Sequence, residues 1–162
     1  MKNNKFINIS ITISIYVTLC LVFGPLSFGV IQFRLSEILS LLAIKYKYAI
    51  IANFIGCFIS NLLLGGFGIV DVVVGSFASL LACLFAYLLR NKKYKDLPIL
   101  SCLAIVITNG IIVGIELGIL TSNVHMIPIT ILQITISEFV VIMFFGLPIY
   151  NKLINTIKEK KA

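Results

Sequence analysis

Apolar positions along this chain run in unbroken stretches instead of alternating with polar ones. Residues 6–33, 49–70, 72–89, 97–115 and 117–137 contain no formal charge. Runs of about 18 or more such residues are long enough to cross a bilayer as helices. The pattern predicts helices near 6–23, 31–44, 48–64, 69–89, 97–120 and 127–151. The second is short: at the helical rise it covers roughly 21 Å, less than the hydrocarbon core, which is about 30 Å thick. It is expected to lie tilted or half-inserted, with its outer end shielded by protein. Six such segments nearly exhaust 162 residues. The expectation is a single all-α integral membrane domain over residues 1–162.

Composition agrees. Apolar residues make up 60% of the chain and charged residues 12%, so the polar coat of a soluble domain is missing. The charges that remain set an orientation. With the N-terminus inside, Lys2, Lys5, Lys45, Lys47, Arg90, Lys92, Lys93, Lys95, Lys152, Lys158, Lys160 and Lys161 all fall in cytoplasmic pieces. Of the thirteen basic residues only Arg34 is left out, which is what the positive-inside rule requires. Both termini are therefore expected in the cytoplasm. Tyr46, Tyr48, Tyr87, Tyr94 and Tyr150 fall at or beyond the inner helix ends, as an interfacial belt would. The net charge of +7 is scattered over separate short loops, so it reads as topology and not as a nucleic-acid surface. The first segment follows Lys2 and Lys5 but lacks a small-residue cleavage site, so it reads as a span and not a signal peptide.

Polar groups inside the apolar runs carry the functional information. Arg34, Glu37, Asp71, Glu116 and Glu138 lie within or at the edges of the predicted helices. A charge near the bilayer centre costs a few kcal/mol, so such residues face a protein interior and mark function. Topology puts Arg34, Glu37, Asp71 and Glu116 toward the outer side, with Glu138 deeper, predicting a cavity that opens outward and tapers to Glu138. Arg34 and Glu37 are three apart, and an ion pair between them is expected. Asn109 and Glu116 are seven apart and share a face. Gly110, Gly114 and Gly118 form a second stripe suited to close helix packing. Asp71 heads a small-residue stripe continued by Gly75, Ala78, Ala82 and Ala86, with helix capping as its simpler role. Phe28 and Phe33 are placed to cover an aromatic ligand or to make lipid and core contacts. Ser10, Ser14 and Thr18, at i, i+4 and i+8, favour close approach of another helix, within the fold or from a partner.

Other chemistry is not expected. Cys20, Cys57, Cys83 and Cys102 sit singly in apolar runs and His125 stands alone, which points to neither metal nor cofactor. No G-x-x-x-x-G-K-[ST] phosphate loop occurs, so ATP hydrolysis by that route would have to come from elsewhere. The four carboxylates and one arginine sum to −3 if all are ionised. A cation, or a ligand rich in N–H donors such as a guanine-type ring, would supply a partner.

These residues resemble a family. The run Gly24-Pro25-Leu26-Ser27-Phe28-Gly29-Val30-Ile31-Gln32-Phe33-Arg34-Leu35-Ser36-Glu37 is similar to the first outer loop and second helix of QueT-type proteins. So are Gly56-Cys57-Phe58-Ile59-Ser60-Asn61-Leu62, Gly68-Ile69-Val70-Asp71, Asn109-Gly110-Ile111-Ile112-Val113-Gly114-Ile115-Glu116 and Ser137-Glu138-Phe139. QueT-type proteins are substrate-binding S components of energy-coupling factor (ECF) transporters, associated with queuosine precursors. The resemblance implies a six-helix S-component fold in the bacterial cell membrane and an outward pocket. It also implies partnership with a transmembrane coupling subunit and two ATPases. The implied ligand is queuine or a smaller pyrrolopyrimidine base. Glu116 or Glu138 would take the ring N–H edge, Asp71 or Glu37 the amine, and Asn61 and Asn109 the ring carbonyl and nitrogen, with Arg34 holding Glu37. Helix one would contact the coupling subunit, with Ser10 and Ser14 on a face that usually carries alanines.

Three alternatives differ in kind. An S component for another vitamin-like aromatic would share the fold. A stand-alone facilitator would need polar residues through to the cytoplasmic end, where the helices read as apolar. An intramembrane enzyme would need a nucleophile–base pair or a metal constellation, and neither is visible.

Overall fold

The computed structural model describes residues 5–28, 32–121 and 124–159. Lys2, Lys160 and Lys161 of the basic set, and Gly29, Val30 and Ile31 of the family-like run, lie outside them. The long apolar runs form helices. Among the described residues the only strand-like pairing is an isolated bridge between Tyr94 and Leu97. Helix one is Lys5–Val22, followed by a single turn at Gly24–Ser27; helix three is Tyr48–Leu64, helix four Ile69–Leu88 and helix five Ile99–Leu120. Among the described residues, four stretches are long and apolar enough to cross a membrane: Lys5–Val22, Ile69–Leu88, Ile99–Leu120 and Ile127–Ile154.

Helix two departs from expectation in start and in kind. It runs Leu35–Ile44 as a 3₁₀ helix, not from residue 31. Gln32 is in the left-handed region (φ 47°) and Arg34 is extended (φ −90°, ψ 90°), so no helix can propagate through them. The Phe33 N–H donates instead to the Leu26 carbonyl at 2.8 Å, folding this stretch back on the preceding turn. The tighter winding has a chemical result. Side chains three apart eclipse in a 3₁₀ helix, which stacks Ser40 on Glu37. As expected for a short charged segment, protein surrounds it: helices one, three, four and five and the middle of helix six all touch it.

Helix six is made of three pieces, Ile127–Phe139, a π-helical Val140–Gly146 and Leu147–Glu159. Gly146, at the end of the π turn, faces helix two; a Cβ there would lie 2.7 Å from Leu41 Cδ1. The glycine stripe of helix five packs on the first piece. Gly110, Gly114 and Gly118 face Thr135, Ile131 and Ile127 in turn, and any side chain would collide with them. Helix four starts at Gly68, whose φ of 69° favours glycine. Asp71, Gly75, Ala78, Ala82 and Ala86 are all buried, as their stripe predicts.

The distribution of polarity is that of a membrane protein. Phe6, Ile69, Phe77, Leu132 and Phe144 project outward, while Glu37, Asn53, Asn61, Asp71, Glu116 and Glu138 are buried. At one end the aromatic and basic groups gather. Tyr46 stacks on Tyr48 at 5.5 Å, Arg90 lies 3.9 Å from the Tyr87 ring centroid, and Tyr48 and Tyr87 flank one apolar cluster. Lys93 and Asp96 share a cavity of about 250 Å³ with Tyr150. The loop after helix four and the last helical piece therefore lie at the same end.

Candidate functional site

Helices two, four, five and six converge on a central cavity lined by Gln32, Arg34, Glu37, Gly75, Ser79, Asn109, Val113, Ile134 and Glu138. Four of the expected site residues thus share one space: Arg34, Glu37, Asn109 and Glu138. Its free volume is about 10 Å³, room for about one water, against the roughly 300–1,000 Å³ of pockets that hold small molecules. Holding a ligand requires its walls to part.

Arg34 does not pair with Glu37. Its Nη2 lies 3.8 Å from Asp71 Oδ1, its Nε donates to the Ser27 carbonyl at 3.4 Å, and its Nη1 reaches Cys57 Sγ at 3.8 Å. The expected i, i+3 pair fails because Arg34 precedes the helix and its extended backbone turns the side chain toward helix four. Phe28 lies against the guanidinium, 4.9 Å from ring centroid to Cζ, and Phe33 packs edge-on to Phe145. Gly75 leaves room for the Asn61 amide: a Cβ there would sit 2.5 Å from Asn61 Nδ2.

Glu37 is held by hydroxyls. Its Oε1 accepts from Tyr16 at 2.5 Å and from Ser79 at 2.8 Å, and its Oε2 from Ser40 at 2.8 Å. Glu138 is different: the Asn109 amide lies beside its carboxylate, yet Oε2 has no hydrogen-bond partner within the protein. Gln32 Oε1 and Asn109 Oδ1 are likewise buried without a hydrogen bond, and Arg34 Nη2 has only its 3.8 Å ion pair with Asp71. A wall with this many open polar atoms is costly unless something meets them.

Asn61, Asp71 and Glu116 stand outside this lining. Asn61 donates to the Asp71 carbonyl at 2.8 Å and to Cys57 Sγ at 3.5 Å. Asp71 sits in the first turn of helix four but makes no side-chain cap; its role there is the pair with Arg34. Glu116 is two turns along helix five from Asn109, about 10 Å at the helical rise. It borders an outer groove of about 330 Å³ with Val70, Val74, Ile112 and Ile115, and both its carboxylate oxygens lack partners.

Three contributors were not anticipated. Gln32 lies within the family-like run but is uncharged. Ser79 is four residues past Gly75 and so shares its face, a signal the small-residue stripe overshadowed. Tyr16 is the one tyrosine of six away from the inner helix ends. Polar groups also extend further inward than the apolar sequence suggests: Ser40 and Asn53 are buried there, with the Asn53 amide donating to the Ala49 and Leu39 carbonyls. Ser10, Ser14 and Thr18 are exposed, so the ladder serves no internal packing. All four cysteines are free and buried, and no cluster of metal-ligating side chains occurs among the described residues.

An apolar exterior around a closed polar centre defines a multi-pass helical membrane protein. The chain belongs to the QueT transporter family, whose model matches residues 6–155. It is similar to the "Queuosine precursor transporter QueT" of Lactococcus lactis subsp. cremoris (strain MG1363), with 40% identity over 101 residues. The match spans 59% of this chain and 59% of that relative, less than two thirds of its length. No solved structure gives a significant match.

Proposed function

We propose that the chain is the substrate-binding S component of an ECF-type importer and captures a queuosine precursor from outside. Queuine or a smaller pyrrolopyrimidine base is the ligand class. The observation that carries this reading is the set of polar atoms around one cavity that make no hydrogen bond within the protein. Gln32 Oε1, Asn109 Oδ1 and Glu138 Oε2 are three acceptors, and Arg34 Nη2 is a donor. A guanine-like edge offers the complement: adjacent N–H donors and a carbonyl oxygen. A site built on buried polar groups rejects analogues that leave those groups unmatched. Glu138 and Asn109 then take the ring N–H edge and Arg34 the ring oxygen. Glu116 and Asp71 line the outer route and receive the amine of amino-bearing precursors, with Asn61 and Glu37 holding the walls.

The chain contains no phosphate loop, so this reading assigns ATP hydrolysis to two partner ATPases and force transmission to a transmembrane coupling subunit. The exposed Ser10 and Ser14 face of helix one suits docking of that subunit. Six spans with both termini cytoplasmic complete the arrangement, supported by the basic loops and tyrosines gathered at one end.

Titration calorimetry on the purified protein in detergent tests the proposal. A panel of queuine, its amino-bearing precursor, guanine and adenine is expected to give tight binding for the pyrrolopyrimidines alone. Preference for an unrelated vitamin-like aromatic would replace the ligand assignment. Binding seen only with ATPase partners present would refute a complete site within this chain.

A further inference from the structure

Tyr16 stands outside the cavity lining, yet it is fully buried and its hydroxyl lies 2.5 Å from Glu37 Oε1. O–H donors reach a carboxylate at about 2.5–2.7 Å when the bond is charge-assisted. A carboxylate has about four acceptor positions, and Tyr16, Ser79 and Ser40 fill three on Glu37. Among the described residues no Lys or Arg nitrogen lies within 4.0 Å of it. These three hydroxyls hold the charge in place.

The ring end of Tyr16 is equally constrained. It packs with Cys20 and Cys57 in one buried cluster, and helix three leaves it no slack. A Cβ on Gly56 would lie 2.9 Å from both Tyr16 Cβ and Cγ. The hydroxyl therefore cannot swing freely; a displacement at Glu37 passes through the ring to the backbone of helix one. Glu37 is part of the cavity wall, and that wall must part to admit anything larger than a water.

We infer that Tyr16 is a positioning residue of the ligand site, and that its bond to Glu37 transmits occupancy of the cavity to helix one. This rests on the proposed binding of a pyrrolopyrimidine. It makes helix one, whose opposite face exposes Ser10, Ser14 and Thr18, responsive to whether the site is filled. By thermodynamic linkage, whatever fixes helix one also alters ligand affinity.

Hydrogen–deuterium exchange of the full chain in detergent, with and without queuine, reads this directly. In the wild type, exchange is expected to slow both around Asn109 in helix five and along helix one. Tyr16→Phe keeps the ring and removes the hydroxyl; it is expected to lose the helix-one change while keeping that around Asn109. Ser79→Ala, which removes the other donor to Oε1, should retain the helix-one response. An equal helix-one response in Tyr16→Phe would overturn the inference, as would a wild type that responds around Asn109 but not in helix one. No change in either helix would refute queuine binding itself, and this inference with it. Should Tyr16→Phe fail to fold, Glu37→Gln weakens the same bond from the other side, and an undiminished helix-one response in it would again be decisive against the link.

Discussion

Glu138→Gln is the sharpest test of how the cavity works. The substitution keeps the shape of the side chain and its place beside Asn109, but removes its capacity to ionise and exchanges one oxygen for an N–H₂ donor. Oε2 is buried, lines the cavity and has no partner in the protein. In the proposed complex it accepts from a ring N–H, a charge-assisted bond worth about 1.5–3 kcal/mol. At about 1.4 kcal/mol per decade of affinity, queuine binding should weaken roughly 10- to 150-fold. The upper part of that range applies if the new amide turns its donor toward the ligand, where two N–H groups would then confront each other. Fold stability should not fall, because burying a neutral amide is less costly than burying a carboxylate. Calorimetry gives the affinity, and thermal unfolding in the same detergent gives the stability. An unchanged dissociation constant with an unchanged unfolding temperature would remove Glu138 from recognition and assign it to packing.

Asn109→Ala should weaken queuine binding less than Glu138→Gln does, and Glu116→Gln should likewise fall below it, since Glu116 lies about two turns outward; a larger loss at Glu116 in the same titrations would move the binding centre outward along helix five. Asp71→Leu leaves Arg34 buried without its carboxylate and should cost about 3–5 kcal/mol of stability. The double change Arg34→Met with Asp71→Leu should be milder than either single one, and additive effects in thermal unfolding would show that the 3.8 Å pair contributes nothing as a pair. Replacing Ser10 and Ser14 together by Leu should abolish uptake in cells while leaving equilibrium binding intact; uptake at the wild-type rate, or equal loss of uptake and binding, would refute a docking role for this exposed face.

The apolar runs made helices three and four legible almost to the residue, 48–64 being expected for Tyr48–Leu64 and 69–89 for Ile69–Leu88, whereas helix two starts at Leu35 instead of 31 and helix six runs on to Glu159 instead of ending at 151. Charge-free length alone dictates such spans, whatever their neighbours do. The intramembrane charges likewise pointed to a polar interior, because lipid gives them no alternative. What the sequence concealed was direction. Whether Arg34 meets Glu37 or Asp71 depends on the backbone of three residues, Gln32 to Arg34, where a left-handed turn replaces an expected helix. Ser79 and Tyr16 were hidden for another reason. A hydroxyl among apolar residues reads as an ordinary small or aromatic packing element until a carboxylate from another helix is brought to it. The π turn after Glu138 has no signature in the apolar pattern, since Val140–Gly146 is as hydrophobic as the flanking turns.

The link between helix two and helix four also sets a timetable for synthesis. Arg34 and Glu37 leave the ribosome well before the groups that neutralise or hold them; Ser79 follows Glu37 by 42 residues, and Asp71 arrives only with the start of helix four. A ten-residue helix that carries Glu37, with Arg34 just ahead of it, cannot partition into lipid by itself. Tyr16 and Ser40 are already available, but half of the polar shell is still unmade. Helix two therefore has to wait at the insertion machinery, or in its shelter, until helix four emerges, so the polar centre of this protein is assembled late, by the return of an earlier segment to a later one.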